Sequence, residues 1–167
     1  MTQISAEELI AALRLEPHPL EGGFFRETYR THQKVHGQER PLATAIYYLL
    51  TPNTCSALHR LPGDELFHFY LGDPVRQLLL RPDGSGEIIT LGADVLADQR
   101  PQMLVPGGVW QGACLADGGR LALLGTTMSP GFAYPDYQTA DRAEMLRQYP
   151  PFASMIERLT RLSEPDA

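Results

Sequence analysis

The chain has 167 residues, enough for one continuous hydrophobic core and too few for two ordinary domains. Its 43% apolar and 20% charged residues, with 15 Gly and 14 Pro, belong to a folded globular protein and exclude a disordered or collagen-like chain. A formal net charge of -6, with acids and bases mixed along the chain, leaves no basic stripe to neutralise phosphates, so nucleic acid is not an expected partner.

The opening residues Met1-Thr2-Gln3-Ile4-Ser5-Ala6-Glu7-Glu8 carry neither the basic nor the apolar segment of a secretory signal. No apolar run is long enough to cross a bilayer, which predicts no membrane partner. Cys55 and Cys114 have no CxxC or metal-ligand spacing and read as small buried apolar side chains. These features predict a reduced, cytoplasmic protein.

Ser5 followed by Glu8 forms a capping box, and Ala6, Leu9, Ile10 and Leu13 recur at helical spacing. A short N-terminal helix is therefore expected to end before Pro17, with Glu16-Pro-His-Pro-Leu-Glu-Gly-Gly23 as the loop that follows. From there the pattern changes to short strands cut by turn residues. Strands are predicted over 24–31, 42–50, 55–59, 65–71, 75–81, 86–91, 102–105, 109–115 and 121–128. Pro82-Asp83-Gly84 and Asp117-Gly118-Gly119 read as hairpin turns. Helical spacing returns over 140–149 and 152–162, interrupted by Pro150-Pro151. The expected architecture is a mainly β, antiparallel sandwich or barrel in one domain, its core over about 24–128, with two C-terminal helices packed outside over about 139–163.

The most informative stretch is His59-Arg-Leu-Pro-Gly-Asp64-Glu65-Leu-Phe-His68-Phe-Tyr-Leu-Gly72. Strand alternation puts Glu65, Phe67 and Phe69 on one face and Leu66, His68 and Tyr70 on the other. A hairpin through Leu61-Pro62-Gly63 would bring His59 opposite Glu65 inside the barrel. An imidazole beside a carboxylate is the pairing expected of a general base, and equally the start of a metal site. Phe67 and Phe69 would then line a pocket suited to an apolar or ring-shaped ligand. One of Tyr47 and Tyr48 should also look inward; Tyr47 is placed in that role, with the choice between the two left open.

At these residues the chain resembles the cupin superfamily. The first cupin motif, G-x5-H-x-H-x3,4-E-x6-G, is met by His59, Glu65 and Gly72, with Leu61 where the second His belongs. The second, G-x5-P-x-G-x2-H-x3-N, is met by Pro106 and Gly108, with Gln111 in place of its His. The phrases Glu21-Gly-Gly-Phe-Phe-Arg-Glu-Thr-Tyr29, Ala43-Thr-Ala-Ile-Tyr47-Tyr-Leu-Leu50, Asp64-Glu-Leu-Phe-His-Phe-Tyr70 and Ser129-Pro-Gly-Phe132 resemble the cupin-5 group, a domain of unknown function often labelled a sugar epimerase by likeness of fold.

The resemblance implies an RmlC-like jelly-roll barrel, a small-molecule ligand and a homodimer, in which the strand over 24–29 with Arg26 would complete the neighbour's pocket. It leaves a divalent metal open, present or absent, for which His59, Glu65, Gln111 and His68 are the candidate ligands, two short of the usual set. Three functions follow. The first is an epimerase or isomerase of a carbohydrate-like substrate, with His59 as base, Glu65 orienting it, Tyr47 as acid, and Phe67, Phe69, Gln111 and Arg26 binding the substrate. A nucleotide-sugar substrate would need cations for its diphosphate, and Arg26, Arg60 and Arg76 are the candidates. The second is a non-catalytic metabolite-binding protein. The third is a metal-dependent dioxygenase or isomerase.

Overall fold

A computed structural model describes residues 4–160 of the chain. The capping box forms as the spacing predicts: Ser5 Oγ accepts from Glu8 N, and Glu8 returns a carboxylate to Ser5 N. Helix α1 spans Ala6–Leu13 and ends on Arg14 in the left-handed region, φ 52°. Its Leu9 packs with Leu15, Leu49, Leu121 and Leu123 on the outside of the barrel.

Eleven strands follow among the described residues: β1 Glu16–Pro17, β2 Phe24–Arg30, β3 Thr44–Leu50, β4 Cys55–Arg60, β5 Glu65–Gly72, β6 Val75–Leu80, β7 Gly86–Leu91, β8 Gln102–Val105, β9 Trp110–Leu115, β10 Ala122–Met128 and β11 Gln138–Thr139. They form two sheets that face each other, one of six strands in the order β1-β2-β3-β10-β5-β8 and one of five in the order β11-β4-β9-β6-β7. The pairing is antiparallel throughout, as the mainly β jelly-roll reading predicts.

Every predicted strand is present within two residues of its expected ends. Three details of the connections differ. Pro82-Asp83-Gly84 does turn the β6–β7 hairpin, but Asp117-Gly118-Gly119 carries the chain from β9 in one sheet to β10 in the other. Likewise Leu61-Pro62-Gly63 links β4 and β5 across the two sheets, so His59 and Glu65 meet across the barrel and not as hairpin partners. The two-residue strands β1 and β11 lie in stretches expected to be loop.

Alternation decides which side chains face inward. Tyr48, Leu50, Phe67, Val75, Leu79, Leu91, Val105, Leu115 and Leu124 belong to one buried interior cluster. The outer face of the five-stranded sheet is covered by α2 Arg142–Gln148, a 3-10 turn at Pro150–Phe152 and α3 Ala153–Leu159, which bury Met145, Tyr149, Met155, Ile156 and Leu159 against Leu58, Leu78 and Leu80. The end of the last predicted helix, beyond residue 160, lies outside the described residues. Strand β2 pairs with β3 of its own chain. Cys55 and Cys114 face each other in the β4–β9 register and are not joined as a disulfide. No helix among the described residues is long and apolar enough to cross a membrane.

Candidate functional site

The polar part of the interior begins in the loop before β2. Gly22 and Gly23 both take positive φ, 88° and 70°, and a Cβ at Gly22 would lie 2.7 Å from the Cys55 carbonyl. Only glycine lets this loop lie against β4, where Ala57 N donates to Glu21 O at 2.8 Å. Glu21 is thereby held beside the interior of the barrel. Its Oε2 accepts from Ser56 Oγ at 3.0 Å, and its Oε1 lies 3.6 Å from His59 Nε2 and 3.9 Å from His18 Nε2.

The backbone fixes the tautomer of both imidazoles. His59 Nδ1 sits 2.7 Å from the Ala57 carbonyl, which can only accept, so Nδ1 carries the proton and the neutral ring leaves Nε2 with a bare lone pair. That Nε2 is buried and has no hydrogen-bond partner. His18 is the mirror case. Its Nδ1 accepts from Glu21 N at 3.0 Å and Leu20 N at 3.3 Å, so its proton is on Nε2, toward Glu21. Burial pushes both imidazoles below their usual pKa, against the opposing pull of Glu65 on His59 and of Glu21 on His18. Burial likewise raises the Glu21 carboxyl, with His18 and the Ser56 and Tyr48 hydroxyls opposing it. The His59 ring stacks on Tyr137, centroids 4.8 Å apart, and the buried Tyr137 hydroxyl also lacks a partner.

Glu65 stands on β5 at the far side of this cluster. Its Oε2 accepts from Gln111 Nε2 at 2.7 Å, and Gln111 Oε1 in turn accepts from Gln77 Nε2 at 2.9 Å. A carboxylate only accepts, so an ionised Glu65 dictates the orientation of both amides along this chain. Burial raises the Glu65 pKa, and nearby Glu21 raises it further, while His59, Thr126 and Gln111 favour the ionised form. Glu65, Gln77 and Gln111 are all buried.

Glu21 and Glu65 line one cavity of about 60 Å³ together with His18, Thr44, Thr126 and Leu61. Its apolar wall is Phe25, Ile46, Met128 and Phe132. The segment after β10 closes over it: Phe132 N donates to Thr44 Oγ1 at 3.0 Å, and Arg40 pairs with Asp136 at 2.6 Å. Arg30 also lines the cavity, but Glu27 engages its guanidinium twice, at 2.9 and 2.7 Å, and its Nη1 donates to Phe132 O at 3.3 Å.

Of the residues predicted from sequence, His59, Glu65 and Gln111 do come together inside the barrel. His59 faces Glu21 at 3.6 Å, and Glu65 is bonded to Gln111. The inward tyrosine is Tyr48, whose hydroxyl donates to Gly22 O at 2.8 Å. Tyr47 instead packs on the outer face beneath α1, edge-on to Tyr70, because the β3 pleat sends alternate side chains to opposite sides. Phe67 and Phe69 face inward but pack into the apolar cluster and do not line the cavity. Arg26 lies over the Tyr47 ring on the outer face, 5.6 Å from its centroid. His68 is outward too, bonded to Thr127 Oγ1 at 3.2 Å and Gln102 Nε2 at 3.3 Å.

The chain does not fit a resident metal of the kind the resemblance leaves open. Leu61 fills one ligand position with a buried apolar side chain, and Gln111 has its amide committed to Glu65 and Gln77. His68 is on the wrong face. Among the described residues no three His, Cys, Asp or Glu side chains converge as metal ligands. Sequence reasoning missed Glu21, His18, Gln77, Thr126 and Tyr137. The paired glycines after Glu21 were the available signal, since they mark a loop that must approach another backbone closely.

Comparison with known proteins agrees with this fold. A family model described as Cupin superfamily (DUF985) matches residues 7–140. The solved structure of protein SO0799 from Shewanella oneidensis is 34% identical, with a TM-score of 0.87 over 95% of this chain and 99% of that one. A hypothetical protein from Leishmania major is 32% identical, with a TM-score of 0.86 over 95% of this chain and 100% of that one. Uncharacterized protein YML079W of Saccharomyces cerevisiae is 28% identical over 149 residues, 80% of this chain and 74% of the yeast protein. This chain belongs to the cupin superfamily, in the family DUF985.

Proposed function

We propose that the cavity is a small-molecule site that moves a proton at a carbon next to a carbonyl in a carbohydrate-like compound, as an isomerase or epimerase does. The observation that most supports the reading is that two buried carboxyls, Glu21 and Glu65, line one cavity with the bare lone pair of His59 directed at Glu21. Glu65, ionised and steadied by Gln111, is the base that accepts the substrate proton. Glu21, held against the opposite sheet, gives a proton back from its carboxylic acid form, and His59 shares that proton with it. Tyr47 has no part in this scheme. A cavity of about 60 Å³ holds on the order of four to six waters, which suits a compound of a few carbons with any remainder in the mouth.

The test is a screen of aldoses, ketoses and their acids by NMR for interconversion. Glu65→Gln should lower kcat by about 10²-fold or more, with His59→Ala also impaired. Turnover unchanged in both variants would refute the scheme. A second reading, ligand binding without catalysis, draws on the burial of His59, which is 1% exposed and reaches the cavity only through Glu21. A ligand that binds and is recovered unchanged would favour it.

We also propose a homodimer through the outer face of the six-stranded sheet, where Tyr70 and Leu104 are half exposed beside Tyr47 and His68. Light scattering at the monomer mass would refute it. A cytoplasmic setting is proposed with it, in keeping with two cysteines that form no disulfide.

A further inference from the structure

The hydrogen-bonding character of the cavity restricts what can enter it. Its ionisable lining is three carboxyls, Glu21, Glu27 and Glu65, with His18, the Tyr134 phenol and a single guanidinium, Arg30. Arg30 is already paired: Glu27 takes its Nε–H and one Nη2 N–H and the Phe132 carbonyl one Nη1 N–H, so its charge is answered by Glu27 and two of its five N–H groups remain. The other cations suggested by sequence lie elsewhere. Arg26 covers Tyr47, Arg60 covers Trp110 at 4.5 Å and bonds Gln138, and Arg76 is on the outer face near Cys114. His18 offers its one N–H toward Glu21.

Acceptors, by contrast, are in surplus. The Nε2 of His59 is nine-tenths or more buried, unpartnered and directed at the Glu21 carboxyl. A buried acceptor left unpaired is destabilising, a deficit that a donor can remove and a deprotonated phosphate or carboxylate cannot. An anion would set its charge beside the ionised Glu65 in a poorly solvated space whose one guanidinium is already paired with Glu27.

We infer that the cavity selects a small, donor-rich, uncharged ligand, a free sugar or polyol, and rejects phosphorylated and carboxylated compounds, nucleotide diphosphate-sugars included. The inference concerns the same cavity as the proposed function and rests on that reading for the site, but not for the catalysis. Hydroxyls of the ligand donate to Glu65 and to the carbonyl oxygen of a protonated Glu21, whose own O–H turns to His59 Nε2. The apolar wall of Phe25, Ile46 and Phe132 takes the C–H face of the same molecule.

The experiment is calorimetric titration of the full chain with dihydroxyacetone, erythrose, xylose and glucose, each against its monophosphate. At least one uncharged member should bind, and at least tenfold more tightly than its monophosphate. Glu27→Gln, a change at a partly exposed side chain checked by thermal melting, should free Arg30 and narrow that gap at least threefold. The inference is overturned if any monophosphate matches or exceeds its parent, if no uncharged member binds, or if Glu27→Gln leaves the gap unchanged. Its failure is distinct from failure of the proposed function. An uncharged ligand that binds without conversion removes the isomerase and leaves this inference, whereas a monophosphate that binds tightly and is converted does the reverse.

Discussion

On β5, Glu65 and Phe67 are successive inward positions; on β6, Gln77 and Leu79; on β10, Thr126 and Leu124. One member of each pair belongs to a polar cluster and the other to the apolar core. The apolar residues are held by packing alone and need only the right size and shape. The polar ones are held by the chain from Gln77 through Gln111 to Glu65, and by the ring of Ser56, Glu21, His18 and His59. Buried polar groups of this kind stabilise a fold less than well-packed apolar side chains of equal volume. A barrel selected for stability alone could carry leucines at those positions, and under the proposed function the polar cluster is the part kept for an occupant.

Breaking the apolar side should give the largest effect. Phe67→Ala should lower stability by about 3–5 kcal/mol, read from the urea midpoint, because Phe67 is 2% exposed within the main cluster. On the polar side, Gln111→Ala strands Glu65 and Gln77 together and should cost about 2–3 kcal/mol. Replacing Glu65, Gln77 and Gln111 jointly by leucine should recover most of that loss while abolishing ligand binding. A triple variant as unstable as the single one would show that the amide chain itself holds the barrel.

On the polar side, the pH dependence of stability should be a smaller effect. Burial lifts the Glu65 pKa above 4.5, so the folded state holds that proton more tightly than the unfolded chain does. Its contribution is present below 4.5 and is lost as pH rises through the raised value. Wild type should therefore lose melting temperature relative to Glu65→Gln as pH climbs from 4.5 through that raised value. His59 has the opposite sign: burial holds it below 6.5, so its loss comes as pH falls from 6.5 toward the depressed value. The smallest effect separates the two tyrosines. Tyr48→Phe removes the bond to Gly22 O and should cost about 1 kcal/mol. Tyr47→Phe should stay within about 0.5 kcal/mol and leave turnover intact.

The fold was legible because barrel strands alternate and are bounded by turn residues, so β2 through β10 carry their own punctuation. The two-residue strands β1 and β11 carry no period at all. The site was legible in part. Alternation places Glu65 inward, and the motif spacing brings His59 and Gln111 beside it. The identity of each partner was not legible, because it depends on how two sheets face one another. Thus His59 and Glu65, six residues apart, sit in different sheets, while Glu21, 38 positions before His59, is the carboxyl that His59 Nε2 faces. Tyr137 reaches the imidazole only through the closing segment after β10, which has no periodicity to read. For Tyr47 and Tyr48 the pattern is symmetric, since both neighbouring faces of β3 are covered, one by the core and one by α1.

In the proposed scheme Glu65 and Glu21 move a proton without a resident metal. This is tested most directly by solvent deuterium wash-in at the carbon next to the carbonyl, followed by NMR in heavy water with chelator-treated protein. Metal-free protein should incorporate deuterium into a bound uncharged sugar, and Glu65→Gln should not. Exchange that disappears with the metal, or that persists in Glu65→Gln, would contradict the scheme.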